Sequence, residues 1–516
     1  MQLRDSRRTG LFSCSRAVAL LIATTVLASW LLLHGCGDVP FDLGVTTGGQ
    51  QDIASARSSI ARGEIPDPAS ITVEGFLSEH NIPVAEPPDA DTLYSTASIA
   101  WNKDFDAFTP MATIQIGFGT TIDRDTFRRP PLNLGLVIDR GQSMGDPIDE
   151  RTGTSKLDAV KVAIDRLLAR LDENDRVSVV TFNDQARTPL EGAAGDDIEA
   201  VKSAIDDVDA RGVTHLVDGL RRGYEIVARN GGGGRADRVI LFTDALLDRF
   251  NTFLTRPFIG VMEEFAEDEI GATLFGIGRD FGHVIAQDIA QVPGANYFFL
   301  SDYERIVSVF DEEFDFLVAP VAYDIKLRVE VPFEFDVVDV YGTGEVAPFP
   351  HEIELDIPTL FLTNRHGGSE VFVRTRAGAL VEFDRPNLAA QLTVTFTGTD
   401  GERRTNPTVE ARLPAGLDPD AAESYFESDA SRRAVLLLNT ALVLRSASED
   451  TFERCLFFCP SASDGVDRAV DRLTEFLPYF DRMAEGLEDR AAPSARALSQ
   501  ERDLVVKLLS NIESLR

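Results

Sequence analysis

The fold of this chain is decided by Leu132-Asn-Leu-Gly-Leu-Val-Ile-Asp139 and by the turn that follows, Arg140-Gly-Gln-Ser-Met144. The first segment is an apolar run of strand length, which predicts a buried strand that ends in Asp139. Gly141 and Ser143 follow two and four residues later. A turn that begins with a carboxylate and carries a hydroxyl group is typical of sites for hard cations.

Strands and helices alternate from this run to Phe316. Apolar strands are predicted at Arg176–Phe182 and Arg238–Thr243, and each is followed along the chain by a helical segment, in the first case after a short edge strand near Ala186–Leu190. Ser155 is the expected N-cap of the first helix, which should run to Leu171. Its apolar residues recur at three- and four-residue steps: Leu157, Val160, Ile164, Leu167 and Leu171. This alternation is typical of a doubly wound, Rossmann-like α/β domain, with a parallel sheet covered by helices on both faces.

The segments on either side of the α/β domain have other patterns. Strands are predicted before it, at Ile71–Phe76 and Ala112–Phe118, and alternating strands follow Val318 in the pattern of a β-sandwich. We expect the two sets of strands to form one platform into which the α/β domain is inserted. The expected order is a signal peptide (1–35), a tether with a short helix (36–66), an N-terminal β segment (67–131), the α/β domain (132–317), a β-sandwich (318–416) and a C-terminal helical region (417–516).

The N-terminus predicts export. Basic residues precede the uncharged apolar run Ala17–Leu33, and Leu33-His-Gly-Cys36 resembles the lipobox of bacterial lipoproteins. The resemblance implies cleavage before Cys36 and lipidation of its thiol. An uncleaved membrane anchor is the alternative. Either way, we expect a cell-envelope protein that is held to a bacterial membrane on its periplasmic or surface face.

Composition narrows the class of protein further. The chain has 516 residues, 44% of them hydrophobic, and a net charge of −34, so it is globular and does not resemble a nucleic-acid-binding protein. Cys455 and Cys459 are an even pair in an exported chain, which favours a disulfide. Four-residue spacing on a helix would strain that bridge, so a loop conformation or two free thiols remain alternatives.

Three loops carry the candidate site residues. A doubly wound sheet binds ligands at the carboxyl ends of its strands. We therefore expect Asp139, Ser143, Thr214 and Asp244 to lie together, since each follows a strand or precedes a helix at that edge. Two carboxylates and two hydroxyl groups form an oxygen-only set, which suits Mg²⁺ or a similar hard ion such as Mn²⁺ or Ca²⁺.

These motifs resemble the von Willebrand factor type A (VWA) family over about Leu132–Phe316. The metal-ion-dependent adhesion site of that family reads Asp-x-Ser-x-Ser, then a distant Thr, then a distant Asp. Here the motifs are Asp139-Arg-Gly-Gln-Ser143, Thr214 and Thr243-Asp-Ala245. The resemblance implies that hydroxyl groups contact the metal directly, that the acids act through water, and that a carboxylate of a protein partner completes the shell. The flanking segments and the lipobox resemble bacterial envelope VWA lipoproteins.

The chain departs from the family pattern at three positions. Gly141 replaces a ligand serine, Ala245 replaces a glycine, and Arg140 can compete for a carboxylate by pairing with it. Metal affinity should therefore fall. The first hypothesis is a lipid-anchored binding or adhesion protein that uses this partly degenerate site. The alternative is a metal-independent scaffold of an envelope assembly with its helical tail as contact surface. An enzyme is not expected, because the sequence has no recognisable nucleophile–base pair.

Overall fold

The structure is a computed structural model, and it describes residues 43–47, 53–88, 90–103, 105, 110–148, 153–245, 252–278, 285–300, 303–342, 351–365, 369–418, 425–452, 462–487 and 495–516. All of these ranges belong to one compact unit, Asp42–Arg516. The predicted signal peptide 1–35, the lipidation residue Cys36 and the pair Cys455 and Cys459 lie outside the described residues. Among the described helices, none has the length and apolar character needed to cross a bilayer.

The strands of the described ranges are β1 (Gly44–Thr47), β2 (Leu93–Lys103), β3 (Pro110–Thr120), β4 (Leu132–Asp139), β5 (Arg176–Phe182), β6 (Ala186–Ala194), β7 (Ala236–Thr243), β8 (Gly271–Ile277), β9 (Ala295–Leu300), β10 (Pro320–Glu330), β11 (Phe335–Tyr341), β12 (Glu352–Thr363), β13 (Val371–Ala377), β14 (Asn387–Gly398), β15 (Arg403–Thr405), β16 (Val409–Leu413) and β17 (Tyr425–Phe426). The α-helices are α1 (Ala54–Ala61), α2 (Val73–Ser78), α3 (Lys156–Leu168), α4 (Ile198–Ile205), α5 (Leu216–Asn230), α6 (Thr252–Ala266), α7 (Ile285–Ala290), α8 (Tyr303–Ser308), α9 (Phe314–Leu317), α10 (Asp429–Phe452), α11 (Ala462–Ala484) and α12 (Leu498–Glu513).

The α/β domain has a six-stranded sheet in the order β6-β5-β4-β7-β8-β9. Its strands run parallel except β6, which pairs antiparallel with β5 at the edge. Every residue of β4 is buried, because α3 covers one face of the sheet and α5 the other. The predicted doubly wound fold is confirmed, although α3 ends at Leu168 and not at Leu171.

Two glycines of α5 allow this helix to lie close to the sheet. A Cβ atom on Gly219 would lie 2.3 Å from Phe182 Cγ, and one on Gly223 would lie 2.3 Å from Val137 Cγ2. Larger residues would push α5 away from β4 and β5. Since α5 begins directly after the loop that carries Thr214, its close approach places that loop over the end of β4.

The platform is a single antiparallel sheet with the path β11-β13-β3-β1-β12-β10-β14-β15 and with β2, β16 and β17 attached beside it. Strands from before the α/β domain pair with strands from after it, as in β3 with β13 and β1 with β12. The insertion expected from the sequence is thus what the structure shows. One apolar core is shared by β2, β3, β10, β12, β14 and β16, so these strands of the single sheet pack on a common core.

A helical unit contains helices from both the N-terminal and the C-terminal parts of the described chain. Helices α10 to α12 share an apolar core with α1 and α2. The Arg57 side chain of α1 donates to Glu79 Oε2 (2.7 Å) and lies 2.8 Å from Glu501 Oε2 of α12. Both glutamates are buried. The short helix predicted near residue 60 is therefore packed against the C-terminal helices.

The strand predicted at Ile71–Phe76 is wrong. The segment forms helix α2, whose N-cap hydroxyl of Thr72 accepts a hydrogen bond from Gly75 N at 3.0 Å. Ile71, Phe76 and Leu77 are buried in the helical unit. Local cap chemistry and burial on α10 outweigh the β-favouring residue types, since strand propensity is a weak, context-dependent preference.

Candidate functional site

Asp139 lies at the end of β4, and its side chain is fully buried. Its Oδ1 atom accepts hydrogen bonds from Gly141 N (2.7 Å) and from Thr214 Oγ1 (3.4 Å). Its Oδ2 atom accepts one from Thr243 Oγ1 at 2.6 Å. This carboxylate therefore connects the three loops that were expected to form the site.

Asp244 forms the second half of the site. Its Oδ1 atom accepts a hydrogen bond from Ser143 Oγ at 2.9 Å, and its Oδ2 atom lies 2.7 Å from Lys156 Nζ. The Lys156 and Asp244 side chains are only 8% and 3% exposed. All four predicted residues thus lie in two hydrogen-bonded pairs, Asp139 with Thr214 and Ser143 with Asp244.

Lys156 was not predicted from the sequence. It is the first residue of α3 and directly follows the N-cap Ser155, whose hydroxyl accepts from Asp158 N. The one local signal is a buried lysine at the start of an otherwise apolar helix face, and a cation there needs a carboxylate partner. Sequence spacing does not identify that partner, because Asp244 is 88 residues away.

The electrostatics of Asp139 follow from its burial. Desolvation by burial, with a smaller contribution from the neighbouring charge of Asp244, raises the pKa of this carboxyl group to about 6. The hydrogen bonds from Thr243 and from Gly141 oppose this rise, because they stabilise the ionised form.

Gly141, where the family motif has a serine, is in close contact with Thr214. A Cβ atom at position 141 would lie 2.2 Å from Thr214 Oγ1 and 3.2 Å from Asp139 Oδ1. The threonine hydroxyl therefore occupies the space that a serine side chain would need. A serine at position 141 would therefore require Thr214 to move.

The residues present do not fit a divalent ion as the VWA motif would hold it. Each carboxylate oxygen of Asp139 and Asp244 already accepts a hydrogen bond or pairs with an ammonium group. The Lys156 ammonium supplies positive charge at Asp244, and a nearby dication would be repelled by it.

Backbone hydrogen bonds tie the loops together around these side chains. Gln142 N donates to Gly212 O (3.0 Å), Arg211 N donates to Arg140 O (2.8 Å), and Arg140 N donates to Phe182 O (2.8 Å).

Arg140 was expected to compete for a carboxylate, and this expectation is wrong for the described residues, because its guanidinium forms no ion pair with them. Ala245, the third departure, donates its N–H to Thr243 Oγ1 at 3.0 Å.

The surface above the site, called the loop face here, consists of Gln142, Ser143, Val213, Thr214 and His215. Val213 is 62% exposed, and the Ser143 and His215 side chains are also exposed. The loop face therefore presents one apolar side chain among polar groups on a rigid support.

Comparisons with known proteins agree with this geometry. Residues 134–246 match the family model described as von Willebrand factor type A domain. The solved structure "von Willebrand factor type A from Catenulispora acidiphila" is 16% identical, with a TM-score of 0.50 over 83% of this chain and 98% of that one. The α/β domain is a VWA domain.

Two curated relatives share part of the sequence. "Uncharacterized protein YfbK" of Escherichia coli K12 is 25% identical over 303 residues, which are 56% of this chain and 49% of the relative. "Uncharacterized protein sll0103" of Synechocystis is 35% identical over 144 residues, which are 28% of this chain and 32% of the relative. The matches thus span about half of the first relative and about a third of the second.

Proposed function

We propose that this protein is a non-enzymatic binding module that engages a protein partner through the loop face of its VWA domain. The observation that carries the proposal is the rigid loop face itself. Asp139 joins its three loops from below, while Ser143, Val213 and His215 are exposed above. An apolar centre with a polar rim is the usual composition of a protein–protein interface, and a preformed surface loses little entropy on binding.

The proposed contact needs no divalent ion. Lys156 neutralises Asp244, and Thr214 fills the space next to Gly141, so a partner contacts hydroxyl groups that lie above a buried ion pair. Calorimetric titration of the wild-type protein with Mg²⁺ and with Mn²⁺ tests this clause. We expect no heat beyond dilution. Binding heat that disappears in Asp139→Ala would restore the metal site implied by the family resemblance.

The partner is sought by crosslinking in intact envelopes followed by affinity capture of this chain. Val213→Asp places a charge on the loop face, and Val506→Asp places one on the exposed side of α12, where Val506 is 38% exposed. The two variants are matched in chemistry. Loss of the captured partner with Val213→Asp alone supports the loop face, and capture should persist in EDTA.

The alternative function is a metal-independent scaffold whose helical tail is the contact surface. It predicts the opposite result, in which Val506→Asp loses the partner and Val213→Asp retains it. Deleting the tail would be a poor test, because α12 holds Arg57 of α1 through Glu501. Point substitutions leave that packing intact.

The proposed location is the bacterial cell envelope, with the chain anchored by lipid on Cys36. The support is the lipobox-like segment Leu33-His-Gly-Cys36 after an uncharged apolar run. In Cys36→Ser we expect loss of lipid labelling and release of the mature chain from the membrane fraction. Unchanged labelling would contradict the anchor.

A further inference from the structure

A cavity of about 600 Å³ opens beside the loop face, between the β5–β6 edge and α4. Its lining includes Arg140 and Arg187, residues with hydroxyl groups such as Thr181, and apolar residues such as Leu190. This volume is within the usual range for small-molecule sites. A single acid, Asp207, also lines the wall.

Arg140 is the unusual member of this wall. The residue is only 7% exposed, and its buried Nε atom has no hydrogen-bond partner among the described residues. Its backbone is held at both ends, by Phe182 O and by Arg211 N. Burying a cation without a counter-ion is unfavourable, so an unpaired guanidinium on a backbone that is held at both ends points to an anion that is absent from the chain itself.

Further arginines surround the same point. Arg187 lies opposite Thr181 in the β5–β6 pairing, and Arg211 donates its backbone N–H to Arg140 O. Burial lowers the pKa of Arg140, the charges of Arg211 and Arg187 lower it further, and Asp209 and Asp184 oppose this change. Among the lining residues themselves, two arginines stand against one acid, Asp207, in a chain of net charge −34.

We propose that this cavity binds a carboxylate ligand, with Arg140 as the buried anchor and Arg187 at the mouth. Arginine binds carboxylates through two parallel N–H···O bonds. The apolar wall around Leu190 suits the carbon skeleton of an organic acid better than it suits inorganic phosphate. The carboxylate can come from a free polycarboxylate or from an acidic side chain of a peptide. The site goes beyond the proposed function, since neither the loop face nor a partner is needed for it.

The test is calorimetry on the full chain in low-chloride buffer, with citrate, a capped oligoglutamate peptide and inorganic phosphate as probes. In Arg140→Met we expect citrate or peptide affinity to fall by at least about tenfold. Arg140→Lys should retain an intermediate affinity. The matched control is Arg235→Met, because Arg235 precedes the amino end of β7, whereas Arg140 follows the carboxyl end of the parallel strand β4, so this change should leave binding unchanged.

The outcomes are distinct. Binding of citrate alone assigns a free acid, and binding of the peptide assigns an acidic side chain. If neither binds the wild type, if phosphate binds as well as they do, or if Arg140→Met binds like the wild type, the proposal is overturned. Should Arg140→Met not fold, the exposed Arg187→Met provides the same comparison. A failure here leaves partner capture at Val213 unaffected, so the two proposals are judged separately.

Discussion

Replacing Lys156 by Met removes the ammonium group that lies 2.7 Å from Asp244 Oδ2 while retaining most of the apolar stem. The stem packs on Gly278, where a Cβ atom would lie 2.7 Å from Lys156 Cε. The substitution therefore leaves a buried carboxylate without its cation. Breaking a buried ion pair from one side usually costs 3–5 kcal/mol. Because Ser143 still donates to Asp244, we expect a loss near the lower end, about 3 kcal/mol.

The assay is hydrogen exchange measured by mass spectrometry on peptides that cover β7, residues 236–243. A loss of about 3 kcal/mol corresponds to roughly hundredfold faster exchange when opening is the limiting equilibrium. Lys161→Met is the control, since Lys161 donates only to Asp206 O at the surface of the same domain. The double variant with Asp244→Asn should recover most of the loss. A change below about 1 kcal/mol, or a double variant no better than the single one, would refute the assignment of Lys156 as the counter-ion.

Three further changes test other parts of the structure. Gly141→Ser should destabilise the VWA domain by about 1–3 kcal/mol, because the new side chain clashes with the Thr214 hydroxyl group. The loss should be smaller in a Thr214→Ala background, which lacks that hydroxyl group. Glu370 is buried with one hydrogen bond from Gln115, and desolvation raises its pKa to about 8. Stability should therefore fall as pH rises from about 4.5 to 8, and Glu370→Gln should remove this dependence, a gain of about 4 kcal/mol at pH 8. Arg57→Met should cost about 3–5 kcal/mol, because two buried glutamates lose their shared cation.

Each of these changes has its own readout. Hydrogen exchange in β4 reports Gly141→Ser, and equal losses with and without Thr214→Ala would contradict the steric explanation. The effect of Glu370→Gln on the free energy of unfolding is measured by urea unfolding, followed by the fluorescence of Trp101 in the platform. If this free energy depends on pH in the same way in the variant and in the wild type, Glu370 is not protonated in the folded chain. The same unfolding with a probe in α12 reports Arg57→Met, for which Arg62→Met on the exposed side of the same chain segment is the matched control.

The sign of the Glu370 effect follows from proton linkage. Below about pH 4.5 the carboxyl group is protonated in both the folded and the unfolded chain, so it makes no difference to stability. Above that value the unfolded chain releases the proton while the folded chain retains it. Stability then decreases with rising pH until the folded group also ionises near pH 8.

Local patterns in the sequence were sufficient to predict the fold of the α/β domain. The apolar run up to Asp139 predicted a buried strand, and the three- and four-residue steps after Ser155 predicted an amphipathic helix. The motif order also placed Thr214 and Asp244 at the same edge of the sheet as Asp139, because parallel strands end together. Where local preference was weak, at Ile71–Phe76, the sequence prediction of a strand was wrong.

The sequence by itself thus determined the domain type, the position of the loop face and the missing side chain at Gly141. Only the tertiary structure showed that the Thr214 hydroxyl group occupies the space of that missing side chain. Gly141 contacts Thr214, and Lys156 pairs with Asp244, although these residues are far apart in the chain. Arg140 is buried, and its Nε atom has no hydrogen-bond partner among the described residues. No periodicity or spacing encodes such contacts, since they depend on how helices and loops pack over the sheet. The opening turn is therefore a reliable sign of the VWA fold, while the charges around it are set by packing.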